Sequence, residues 1–245
     1  MAHIDSLAAP GVAARPAAPG RRVMDAPTRM FHALFALSFA LGWLTGDSEH
    51  WRALHVTLGY TMAGLLGFRL VYGVVGPRHA RLSLLWRRVA GAPAWLRGTL
   101  GSGSSTRVNW SQGQNLLLAG ALAAMLLLVI PLSLSGYATY SDWGGEWLEE
   151  LHEFFANAFL ALVLGHLALL AVLSLVRRRN LALPMLTGRV AGAGPDLVRK
   201  DRRWLAAVLL LTVLAFGAWQ WQLSPNGLLP AAGSAFSGQS HDGDG

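Results

Sequence analysis

The chain has no cysteine, a single lysine and few charges: Asp, Glu, Lys and Arg make up 13% of its 245 residues. Without thiols it can build neither a disulfide scaffold, nor a zinc-thiolate site, nor a Cys-held iron–sulfur cluster. Without a C-x-x-C-H run it cannot attach a c-type haem covalently. An ordinary soluble domain carries about 25% charged residues, so that class is excluded too. What is abundant is apolar, with 53% of the residues hydrophobic. The 20 basic residues outnumber the 13 acids and leave a formal charge of +7. Such an excess suits either nucleic acid or a membrane surface, and the placement of the charges decides between them.

Five apolar stretches run roughly over 30–46, 53–75, 115–138, 154–176 and 204–223. A helix needs about 20 mostly apolar residues to cross a bilayer. Four of the stretches reach that length. The first is shorter and can gain a turn from Pro27, Thr28 and Arg29. Val163, Leu164, Leu167, Leu169 and Leu170 leave the fourth without a polar face, so it is no surface amphipathic helix. Of the 20 basic residues, 18 fall in the N-terminal arm, the loop between the second and third stretches, and the loop between the fourth and fifth. The positive-inside rule makes that side cytoplasmic. Arg52 lies outside, and Arg69 can snorkel to the cytoplasmic end of the second stretch. Asp47, Glu49, Asp142, Glu146, Glu149, Glu150, Glu153, Asp242 and Asp244 fall on the other face. Trp43, Trp51, Trp143, Trp147, Trp219 and Trp221 mark the outer boundary, where an indole keeps its ring apolar and its N–H wet. The charge thus reports topology. The expected partner is membrane lipid, not nucleic acid.

The expected organisation is a disordered cytoplasmic arm over 1–21, a four-helix transmembrane bundle over 22–190, an inner linker and fifth transmembrane helix over 191–223, and a flexible periplasmic tail over 224–245. Residues 1–20 hold no apolar core and so form no cleavable signal peptide. Residues 101–106 (GSGSST) read as a flexible piece of the first inner loop.

Eight histidines are present. His32, His55, His152 and His166 lie in or at the start of apolar helices, where an ionisable group is costly and usually functional. Imidazole is an ordinary axial ligand of haem iron. His32 belongs at the cytoplasmic start of the first helix, and His55 and His152 at the outer starts of the second and fourth. His166 follows His152 by 14 residues, about 21 Å along a helix and within about 40° of the same face. Depth therefore pairs His32 with His166 on the cytoplasmic side and His55 with His152 on the outer side. Two bis-histidine haems stacked across the bilayer would satisfy all four. Isolated histidines bonded to carbonyls or headgroups are the plainer reading, and an intramembrane zinc site is the other metal reading. His50 is a substitute ligand candidate. His79, in the inner loop, and His3 and His241, in the tails, are expected to be solvated. Gly59 follows His55 by one turn, with Gly64 and Gly67 beyond it and Gly165 before His166. They would allow a flat macrocycle close to the backbone, or serve helix packing. Arg29 and Arg69 are candidates for pairing with haem propionates.

Residues 22 to 190 resemble the b-type cytochrome subunit of nickel–iron hydrogenases and the related bacterial di-haem cytochrome b561 group. The resemblance rests on D-x-P-x-R-x-x-H (Asp25 to His32), on H-x-x-x-G-Y (His55 to Tyr60), and on F-R-L-V-Y-G-V-V-G-P-R-H-A-R-L-S (Phe68 to Ser83). It rests also on L-H-E-F-F-A-N-A (Leu151 to Ala158) with the spacing to His166, and on R-R-R-N-L-A-L-P-M-L-T-G-R (Arg177 to Arg189). It implies an all-α integral membrane protein of the bacterial inner membrane: a four-helix bundle holding two non-covalent b haems, with His32, His55, His152 and His166 as ligands. It further implies electron transfer between quinone and a periplasmic partner, either a c-type cytochrome or a hydrogenase-like enzyme. The fifth helix (204–223) and its outer tail lie beyond that four-helix core and could form a partner-docking or homodimer surface. The alternative is a haem-free anchor for a periplasmic enzyme. A transporter fits less well, because Pro131 interrupts only the third stretch.

Overall fold

Asp25, Ala26 and Pro27 spell a helix start. The Asp25 carboxylate accepts the Thr28 amide at 3.2 Å, and proline occupies the first turn, where its missing N–H removes no helical bond. In the computed structural model, which describes residues 20–101, 110–192, 194–224 and 228, helix α1 runs from there over Ala26–Thr45. It is followed by α2 (Arg52–Val75), the short helices α3 (Leu82–Ala90) and α4 (Ala92–Gly101), the long helices α5 (Trp110–Tyr140) and α6 (Glu146–Val176), the five-residue α7 (Leu183–Thr187), and α8 (Arg203–Leu223). Most of the expected arm, most of GSGSST and most of the tail lie outside the described residues.

Among the described residues, four stretches are long and apolar enough to cross a membrane: Glu49–Val75, Trp110–Tyr140, Glu146–Val176 and Arg203–Leu223. The chain is thus a multi-pass membrane protein, built of helices. The first expected span does form a helix, α1. Arg29 and His32 near its start shorten its apolar run, and it is not among the four. It nevertheless sits inside the bundle, against α2 and α8, while α5 packs on α6 and α2 joins the two halves through α5. Large apolar side chains such as Leu44, Val75, Leu127 and Leu175 stay exposed on the outside of the helices, a surface that suits lipid and not water.

Two expectations are corrected. The stretch between the second and third spans is not a loop among its described residues: α3 and α4 fill it. Leu82, Leu85 and Val89 are half-buried one and two turns apart, while Ser83, Trp86 and Arg87 are exposed, so the arginines hid an amphipathic helix. Pro131 does not interrupt α5, which runs unbroken from residue 110 to 140. An apolar environment tolerates the lost amide bond because neighbouring helices hold the backbone in place.

The basic end of the bundle is tied together by non-helical chain. Strands β1 (Arg21–Arg22) and β2 (Arg189–Val190) pair antiparallel, so the last residue of the expected arm is part of a strand. The amides of Val23 and Met24 bond to the Gly188 carbonyl at 2.9 and 3.2 Å. Gly188 has φ +74°, and a Cβ there would come within 2.9 Å of the Met24 carbonyl oxygen. That explains the glycine in the Arg177–Arg189 segment.

The core has two parts. Phe39, Met62, Leu66, Val129, Leu132 and Phe159 draw α1, α2, α5 and α6 together. Phe31, Leu65 and Leu209 attach α8 to α1 and α2.

Candidate functional site

Helix α6 carries both of its histidines inward, with Phe159 midway between them. Phe159 is 1% exposed and meets Phe39 edge-on, ring centres 4.6 Å apart, and Phe35 at 6.2 Å. The aromatic layer separates an acidic-end pair of histidines from a basic-end pair.

At the acidic end His55 of α2 and His152 of α6 stand with ring centres 6.0 Å apart and planes 89° apart. Each ring has one nitrogen engaged. His55 Nδ1 lies 2.8 Å from the Gly42 carbonyl of α1. His152 Nδ1 lies 3.2 Å from the Leu132 carbonyl of α5 and 3.3 Å from Ser135 Oγ. A carbonyl accepts only from N–H, so each Nδ1 donates and each Nε2 keeps its lone pair. Metal-ligating histidines usually hold their second nitrogen in this way. Two imidazoles placed about 2 Å either side of one metal ion have ring centres roughly 6 Å apart once ring radii are added. The 6.0 Å separation fits that arrangement.

At the basic end His32 is exposed on α1 and His166 is half-buried on α6. His166 Nδ1 is buried without a hydrogen-bond partner, a defect that costs about 1–3 kcal/mol where nothing offsets it. Among the described residues no three His, Asp or Glu side chains gather to hold a metal ion. Four imidazoles in two couples suit iron in a macrocycle, because the porphyrin supplies four ligands and the protein only the axial two. The His55–His152 donor set fits a b haem.

The remaining candidates are placed as follows. Gly59 has open space where a Cβ would be, so among the described residues no helix packs on that position. Gly64, Gly67 and Gly165 are likewise open. Arg29 donates to the Leu186 carbonyl at 2.8 Å and lies 3.9 Å from Asp201, while Arg69 donates to the Ala80 carbonyl at 2.9 Å. Both arginines tie connecting segments to the helices. His50 packs edge-on against Trp51, apart from the two couples.

His79 requires correction: it is not a solvated loop residue. Its side chain is 16% exposed and its Nε2 lies 3.0 Å from the carboxylate of Asp25. Asp25 is fully buried and also accepts the Tyr72 hydroxyl and the Thr28 amide. Burial pushes the Asp25 carboxyl up, but the bonds from Thr28, Tyr72 and His79 outweigh it and hold its pKa below the usual aspartate value. Beside it, Asp201 accepts the Ala26 amide at 3.0 Å and Arg203 Nε at 2.9 Å. Burial raises the Asp201 pKa, and Arg203, Arg22, the Ala26 amide and Arg29 bring it down further. The acid that opens the D-x-P-x-R-x-x-H motif is therefore the hub of a clamp that joins α1, α2, the turn at 78–80 and the segment leading to α8.

The sequence reading also missed Gly136. A Cβ on it would come within 2.8 Å of His152 Cε1. No local pattern in LSLSGYATY marks this glycine, since its partner is 16 residues on, in another helix.

The family described as prokaryotic cytochrome b561 matches residues 23–188. No curated protein and no solved structure matches the chain.

Proposed function

The chain belongs to the prokaryotic cytochrome b561 family, a family of membrane b-type cytochromes in electron transfer, and on that premise we propose that it holds two b haems and passes electrons between the quinone pool and a periplasmic redox partner. The partner is a c-type cytochrome or a hydrogenase-like enzyme. The observation that carries the reading is the acidic-end couple: two imidazoles from different helices, ring centres 6.0 Å apart, each with Nδ1 given to a carbonyl. His55 and His152 hold one haem and His32 and His166 the other. Each haem supplies a one-electron carrier. The chain itself keeps the couples at two depths, holds Nδ1 of His55 and of His152 on carbonyls so that Nε2 stays free, and excludes water with the Phe35, Phe39 and Phe159 layer. The arginine-rich end is cytoplasmic, which puts both the N-terminus and the clamp around Asp25 inside and the C-terminus outside.

An optical spectrum of the detergent-purified protein, oxidised and then reduced by dithionite, with a pyridine haemochrome count, tests this. Two b haems per chain are expected. A colourless preparation from haem-replete cells overturns the reading and leaves the haem-free anchor.

Asp142, Glu146, Glu149, Glu150 and Glu153 are all exposed and lie near the His55–His152 couple. We assign this rim the steering of a basic periplasmic partner. Electrostatic steering raises association rates by roughly 10- to 1,000-fold and weakens as salt screens the charges. The rate of haem oxidation or reduction by such a partner is expected to fall at least tenfold between low and high ionic strength. A stopped-flow rate that ignores salt removes the steering role.

A further inference from the structure

The His152 ring lies in a notch made by two consecutive residues of α5. Gly136 provides the space: a Cβ at this position would come within 2.8 Å of Cε1 and 3.1 Å of Nδ1, atoms of a rigid ring that cannot fold away. Ser135, 5% exposed, provides the direction. Its hydroxyl donates to the Leu132 carbonyl at 3.1 Å, which turns an oxygen lone pair toward His152 Nδ1 at 3.3 Å. The Nδ1–H is then shared between that oxygen and the Leu132 carbonyl at 3.2 Å. On the other side, the Gly42 carbonyl of α1 fixes His55 at 2.8 Å. Two rings aimed by two different helices end with planes 89° apart.

We propose that Ser135 and Gly136 are positioning residues that set the His152 imidazole plane across that of His55. The inference rests on the reading above, in which these two imidazoles are axial ligands of one b haem. Mutually perpendicular axial imidazoles leave the d orbitals of low-spin ferric iron close in energy and give a strongly anisotropic electron paramagnetic resonance signal. Parallel imidazoles split those orbitals and give an ordinary rhombic one. Ring orientation is therefore read directly, without any assay of turnover.

The experiment uses the full-length oxidised protein in detergent, with haem counted in every sample. The unaltered protein is expected to carry two haems, one with the strongly anisotropic signal, and His55→Ala should abolish that signal. Ser135→Ala should keep two haems per chain and shift that signal alone. Ser135→Thr, which retains the hydroxyl, should restore it. Gly136→Ala should shift the same signal further or remove that one haem. Two results overturn the proposal: Ser135→Ala leaving the signal where it was in protein with two haems, or unaltered two-haem protein without a crossed-plane signal. Ser135→Ala removes one oxygen and no volume the helices need, so the test survives if Gly136→Ala does not fold. Unaltered protein with no haem overturns the underlying reading instead, and the haem count separates that case from the other two.

Discussion

His166→Ala is expected to lower the haem content from two to one per chain. The haem that remains should be the one held by His55 and His152. The expectation follows from geometry on a single helix. His152 and His166 lie 14 residues apart on α6, about 21 Å along its axis, so one substitution cannot touch both couples. Phe159 fills the space between them and is 1% exposed. It packs on Phe39 independently of either imidazole, so the bundle keeps its middle when one end loses a ligand. His32→Ala should remove the same haem as His166→Ala, and the double variant should lose no more than either single one. His55→Ala and His152→Ala should remove the other haem. A pyridine haemochrome count with a redox titration distinguishes the two. If His166→Ala and His55→Ala were to remove the same spectral component, the pairing by depth would be wrong. Loss of all haem from any single variant would show that both couples are needed for the bundle to form.

The proposal of that pairing needs only helical periodicity and a count of depth, and both are legible in the sequence. His55 and His152 come together as expected, whereas His32 lies exposed on α1 and His166 half-buried on α6. What was not legible depends on contacts between segments distant in the chain. Gly136 looks like any glycine in an apolar helix until α6 lays an imidazole on it. His79 reads as a polar loop residue because its partner, Asp25, lies 54 positions earlier. The helix at Leu82–Ala90 was masked by Arg87 and Arg88, which suggested a solvated loop, whereas its half-buried leucines pack on the bundle. Gly59 is the opposite case. Its spacing from His55 was plain, but the open space beside it says only that no other helix claims the position.

Asp25→Ala is expected to be the most destabilising single substitution outside the histidine couples. Asp25 is fully buried, and its carboxylate accepts from Thr28, Tyr72 and His79. Removing one member of a buried, hydrogen-bonded network that includes a charge costs about 3–5 kcal/mol, because the partners stay buried without an acceptor. For a chain of this size that corresponds to a fall in melting temperature of roughly 6–20 °C. Tyr72→Phe leaves the bonds from His79 and Thr28 intact and should cost less, about 1.5–3 kcal/mol, the value of one hydrogen bond to a charged group. The pH dependence has a definite sign. The pKa of Asp25 is lower in the folded state than the ordinary aspartate value, about 3.9. Its contribution is thus fully present above pH 4 or so and is lost as the pH falls through the folded-state value, where the carboxylate takes up a proton. Melting curves of the detergent-solubilised protein between about pH 3 and pH 7 should show this acid-side loss in the unaltered protein and a weaker one in Asp25→Asn. Asp25→Ala melting at the same temperature as the unaltered protein would mean that β1, β2 and the segment before α8 hold the basic end together without it.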